Sequence, residues 1–186
     1  MFFNKKVKNW NNNNGENMYY INLFFVFSVF GYLLETAYSF IMHTNFKSGF
    51  LYGPITPLYG IGIIIIFCLS NYIFNKLHLS KVVETIIVFI LITLVLTFLE
   101  FVAGYLIEKI FNVVFWDYSN QKFHIGKYIS LSMSLIWGVG SIFLIYYVKP
   151  WISDYINKIP NGVTILFIVL FITDIIITMY NKLKFS

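Results

Sequence analysis

The chain has no arginine; all thirteen of its basic residues are lysine. A planar guanidinium fork for phosphate or carboxylate is therefore excluded, leaving only the point charge of an ammonium group. A single cysteine, Cys68, rules out an intrachain disulfide or a cysteine-built metal cluster, and in its apolar run it reads as a packing residue. Charged residues are only 11% of the 186, against about a quarter in soluble domains. No glycine loop leads into Lys-Ser or Lys-Thr, so ATP binding of that kind is excluded. No pair of histidines at i and i+4 brackets a glutamate, as a zinc hydrolase would need. Neither a cofactor nor a resident metal is expected.

What remains is apolar. Hydrophobic residues are 59% of the chain, aromatics 21%, and the mean hydropathy is +0.75. That composition belongs to an all-α polytopic membrane protein, a multi-pass protein of the cell membrane. Residues 1–17 are polar, asparagine-rich and basic, and are expected to form a disordered tail ahead of a single transmembrane domain over 18–186. Five apolar runs follow, near 20–42, 57–75, 82–112, 128–148 and 163–180. The first is long enough at about 1.5 Å per residue to cross a core of about 30 Å. The fourth is expected to stop at Lys149-Pro150. The net charge of +5 sits in tails and short loops, which points to orientation signals and anionic headgroups rather than nucleic acid. With the N-terminus inside, seven lysines fall inside and six outside, a slight N-in bias.

Two of these units look alike. Gly31-Tyr32-Leu33-Leu34-Glu35 returns as Gly104-Tyr105-Leu106-Ile107-Glu108, 73 residues on (104 − 31). Tyr59-Gly60-Ile61-Gly62 returns as Trp137-Gly138-Val139-Gly140, 78 residues on (137 − 59). The chain thus reads as a tandem, parallel two-helix repeat, about 20–77 and 82–148, plus a fifth helix. Both aromatic loops then fall on one membrane face.

The acids are the chemical candidates. Glu100, Gly104 and Glu108 share a helix face at i, i+4 and i+8, and Gly104 lets another backbone approach between the carboxylates. A carboxylate at bilayer depth costs roughly 2.5–3.5 kcal/mol on insertion scales, so it tends to face water, a partner or a transported species. Glu35, Glu100, Glu108 and Asp117, with Tyr59 and Trp137, are the candidate lining of a solute or ion path. The bland alternative makes Glu108 a headgroup residue and Glu100 a staple between helices. Asp174 reads first as an inter-helix hydrogen bond. Gly49, Gly53, Pro54, Pro57 and Gly60 suggest a re-entrant or broken segment lining a cavity, or else a tight turn before a packing face. Trp116 to Ser119 reads as an interfacial aromatic belt with Asp117 capping a turn.

These motifs in this order resemble a known family. Gly31–Glu35, Gly49-Phe50-Leu51-Tyr52-Gly53-Pro54 with Pro57-Leu58-Tyr59-Gly60, Trp116-Asp117-Tyr118-Ser119 and Trp137-Gly138 are similar to successive motifs of the putative ABC-transporter type IV family. The resemblance covers roughly residues 20–148. It implies a small bacterial transport permease driven by a separate ATPase subunit, with no substrate named. One departure is that family members usually carry arginine before Gly-Phe-Leu, where this chain has Ser48 after Lys47; the basic residue after the glycine of the third loop is kept only as Lys127. Five spans are few for a whole pathway, which suggests a homo- or hetero-oligomer. Two other classes stay open: a small membrane enzyme acting on a lipid or envelope intermediate through Glu35, Glu108, Asp117 and His124, and a non-transporting assembly protein.

Overall fold

The computed structural model describes residues 13–41 and 49–184. Among the described residues there are six helices and one short hairpin: α1 Asn13–Ile41, α2 Pro57–Lys76, α3 Lys81–Phe111, β1 His124–Ile125, β2 Ile129–Ser130, α4 Leu131–Phe143, α5 Lys149–Ile156 and α6 Asn161–Lys184. A π-helical turn over Leu144–Val148 joins α4 to α5. Taken with that turn as one run, Leu131–Ile156 is the fourth of five helices long and apolar enough to span a membrane. The all-α polytopic class is as the hydropathy indicated.

Two boundaries differ from the sequence reading. The first helix begins at Asn13 rather than near Tyr20, so residues 13–17 are helical. Asparagine is a weak helix former but a good helix starter, which lets the helix reach back into the polar tail. Residues 1–12 of that tail lie outside the described residues. The fourth span does not stop at Lys149-Pro150 but runs on to Ile156. A proline lacks the N–H and its ring collides with the preceding turn. The π turn just before it widens that turn, which accommodates the ring without ending the helix.

The core follows from which faces are apolar on both sides. Helix α2 is the most enclosed span, with Ile63, Ile66 and Phe67 against Leu23 and Phe27 of α1, Val88, Ile92 and Leu96 of α3, and Ile145 of the π turn. Helices α1–α2 and α3–α4 each form a hairpin, and α6 lies along α1 through Phe167 and Phe171 on Phe25. Cys68, expected in the packing, lies on the exposed side of α2.

Polar side chains fix the ends. At one end Lys149 Nζ donates to Asn71 Oδ1 at 2.7 Å, Ser70 Oγ at 2.9 Å and the Phe67 carbonyl at 3.3 Å. Lys149 is thus a strap between α5 and α2, not a loop charge. At the other end, the loops 49–56 and 112–130 gather between the helices.

Candidate functional site

Residues 49–56 descend alongside α1 instead of crossing above it. Gly49 N donates to Glu35 Oε2 at 3.2 Å, and Thr56 N donates to the Ser28 carbonyl at 3.0 Å. Glu35 and Ser28 are two helical turns apart, so the loop drops roughly 10 Å within the bundle. Gly49 holds φ of +75° at the top of this descent, a left-handed value that glycine adopts freely. Pro57, at the first turn of α2, needs no N–H there.

Helix α6 grips the same loop. Asp174 Oδ2 accepts from Gly53 N at 2.9 Å, and Asp174 Oδ1 accepts from Tyr52 N at 3.1 Å and from the Thr178 hydroxyl at 3.1 Å. A carboxylate receiving adjacent backbone N–H groups is a charge-assisted clamp. Gly53 suits this close approach, because a Cβ there would come within 2.8 Å of Asp174 Oδ2 and push that carboxylate aside. Asp174 therefore bonds to a loop, where the sequence suggested another helix.

The second loop covers Glu100. This carboxylate, only 4% exposed, accepts from Tyr118 Oη at 2.9 Å and from Trp137 Nε1 at 3.2 Å. Trp137 in turn packs against Tyr59, ring centroids 5.3 Å apart, and the Tyr59 phenol lies in electrostatic range of both Glu35 and Glu100. Burial first, and then the facing Glu100, push the Tyr118 phenol above its ordinary value, so Tyr118 remains a proton donor. Tyr59, Glu100 and Trp137 thus come together, with Tyr118 joining them, while Glu35 holds Gly49 N and reaches Tyr59 and Tyr118 through its charge. The sequence suggested an interfacial role for Tyr118; its spacing carries no sign that its hydroxyl turns inward.

Glu108 and Asp117 lie apart from this cluster. Glu108 Oε1 receives Lys127 Nζ at 2.8 Å, with the two side chains 29% and 45% exposed. Exposed Asp117 caps its own turn, accepting from the Ser119 hydroxyl and N–H. The hydroxyl bond, then the N–H bond, hold its carboxyl below the usual aspartate value. Its hydrogen bond to Glu108 raises Lys127. His124 Nδ1 meets the Gly126 carbonyl at 2.9 Å. Among the described residues no group of three His, Cys, Asp or Glu is placed to hold a metal ion.

The glycines show how the two hairpins compare. A Cβ on Gly31 would lie 2.3 Å from the Tyr59 ring, and one on Gly104 would lie 2.6 Å from the Tyr128 ring and 3.0 Å from Trp116. So far the units match. But Gly60 meets Phe24 and Ser28, seven and three residues before Gly31, whereas Gly138 meets Phe89 and Thr93, fifteen and eleven before Gly104. Helix α4 is therefore displaced by about two turns relative to α2, and Tyr128, not Trp137, stands where Tyr59 stands. That displacement brings Trp137 to Glu100.

Residues 22–179 match the family model described as putative ABC-transporter type IV, a match that extends through most of α6. No curated protein and no solved structure matches the chain.

Proposed function

Because the chain belongs to the putative ABC-transporter type IV family, we propose that it is a permease-like membrane subunit that moves or senses a solute with a separate ATPase. The observation that carries this reading is Glu100, a buried carboxylate that accepts from an aromatic hydroxyl and an indole rather than from a cation. Groups of this kind at membrane depth are costly and tend to persist where protons, ions or polar solutes pass. Glu35, Tyr59 and Trp137 line the same path, and Gly31, Gly60, Gly104 and Gly138 allow the close helix contacts around it. Glu108, Asp117 and Trp116 frame the mouth. The two hairpins act as a repeated frame in which α4 has slipped, and assembly into a homo- or hetero-oligomer completes the pathway.

A second reading is favoured by the direction of these same bonds. Glu100 joins α3 to α4 and to the loop, and Asp174 joins α6 to the other loop. In a non-transporting assembly protein such bonds would only brace helices. Affinity purification of the tagged full chain from its native membrane separates the two. The transport reading expects an ATPase to co-purify, and its ATP hydrolysis in proteoliposomes to fall with Glu100→Gln while the complex stays assembled. A chain that purifies without any ATPase, or an ATPase indifferent to Glu100, sinks it.

A further inference from the structure

Between Trp116 and α4 the chain makes a small hairpin whose outer face is unlike the rest of its loop. Strands β1 and β2 pair His124 with Ser130 and Ile125 with Ile129. The turn is made by Gly126, whose φ of +60° suits glycine. Phe123 and Ile125, two residues apart and so on one face of the strand, are 62% and 72% exposed. Lys122 extends its ammonium over the Phe123 ring, 5.7 Å from the centroid.

The height of this face relative to a bilayer can be read from the helices. Lys76 ends α2 and Lys81 opens α3, with Lys81 Nζ 5.4 Å from the Tyr146 ring. Twenty residues up α3 from Lys81 is Phe101, about 30 Å at 1.5 Å per residue, which is one hydrocarbon thickness. Phe101 packs against Tyr128 at 6.2 Å, and Leu131 N bonds to the Phe123 carbonyl at 2.9 Å. Phe123 is therefore level with the first residue of α4, itself 50% exposed, at the upper edge of the hydrocarbon. Lys122 lies at that same edge, its ammonium over the Phe123 ring, while Lys109 and Lys127, the latter paired with Glu108, lie farther out with His124 and the acid Asp117.

We propose that this hairpin is a membrane-surface anchor, seated in the headgroup layer with Phe123 and Ile125 in the acyl boundary and Lys122 against anionic phospholipid phosphate. Apolar side chains at the hydrocarbon edge with lysines beside and beyond them are the arrangement by which interfacial segments bind anionic leaflets. The seat bears on the buried site, because Tyr118 N bonds to the Lys127 carbonyl at 2.8 Å and Tyr118 Oη holds Glu100. A lipid surface that fixes the hairpin also fixes the donor over Glu100.

The test uses the full chain with Cys68→Ser and Ile125→Cys, labelled with an environment-sensitive fluorophore and reconstituted into phosphatidylcholine vesicles with or without phosphatidylglycerol. The anchor predicts blue-shifted emission, weak quenching by iodide, and strong quenching by lipids brominated near the headgroup. Brominated phosphatidylglycerol should quench more than brominated phosphatidylcholine, and Lys122→Gln should cut that preference by up to about fivefold. Strong iodide quenching with none from lipid, or shielding from both quenchers by covering protein, overturns the proposal. An unlabelled control guards against a misfolded variant: added phosphatidylglycerol should raise the thermal midpoint of the native chain, and Phe123→Ser with Lys122→Gln should abolish that rise. A rise equal in both proteins also counts against the anchor.

Discussion

Gly31 and Gly140 differ in what a methyl group would meet. At Gly31 it would press into the Tyr59 ring at 2.3 Å, while at Gly140 nothing lies within 4 Å. Overpacking of this kind costs typically 1–3 kcal/mol. Alanine in an open helical position gains a few tenths to about 1 kcal/mol over glycine. Gly31→Ala should therefore lower the thermal midpoint of the detergent-solubilised protein, and Gly140→Ala should leave it unchanged or raise it; equal effects would show that Tyr59 is free to move aside. Asp117 offers a second residue-level prediction. Its folded pKa is depressed, so the turn it caps is stabilised above the ordinary aspartate range and loses that support only as pH falls through the lower folded value. In a carbon-13 carboxyl titration its midpoint should fall below 3.8. Ser119→Ala, which removes the hydroxyl and keeps the N–H, should move the midpoint part of the way back up.

At the scale of elements, the most informative pair is α6 and the descending loop. Helix α6 is the least enclosed of the five spans, yet Asp174 binds two loop N–H groups and Thr178. Removing a charged hydrogen-bond partner typically costs about 1.5–3 kcal/mol. Asp174→Ala should therefore release residues 49–56, seen as faster amide hydrogen exchange at Tyr52 and Gly53 with α2 unchanged. If exchange there stays slow, α6 does not hold the loop. None of this contact was legible beforehand, because a carboxylate meeting backbone N–H groups more than a hundred residues away leaves no side-chain pattern. The five spans were legible, since each apolar run has at least the roughly 17 residues that a spanning helix needs. The end of the fourth was not, because Pro150 looks like a stop and the π turn that accommodates it has no sequence signature. Glu100 was legible as an acid in an apolar run. Its donors were not: Tyr118 looked interfacial, and Trp137 looked equivalent to Tyr59 until the slip of α4 put it elsewhere.

For the whole molecule, if all five candidate spans among the described residues cross the bilayer, α1 enters and α6 leaves on opposite sides, and lysine distribution is what would decide which side is which. The lysine count of seven against six depended on Lys149. With its ammonium tied to Phe67, Ser70 and Asn71, this lysine straps two helices together, and without it the two sides are even. Orientation must then rest on the cluster Lys5, Lys6 and Lys8 ahead of α1, which lies outside the described residues and favours an inside N-terminus. In a Cys68→Ser background, cysteine at His78, in the α2–α3 turn, should react with an impermeant maleimide only in inverted vesicles. Cysteine at Gln121, on the opposite end, should react only in right-side-out cells. Replacing Lys5, Lys6 and Lys8 by glutamine should then produce a mixed population labelled at both sites from both sides. Unchanged labelling would mean that the loops near the mouth, not the N-terminal cluster, set the topology. Complete inversion would mean that the cluster alone outweighs every other lysine in the chain.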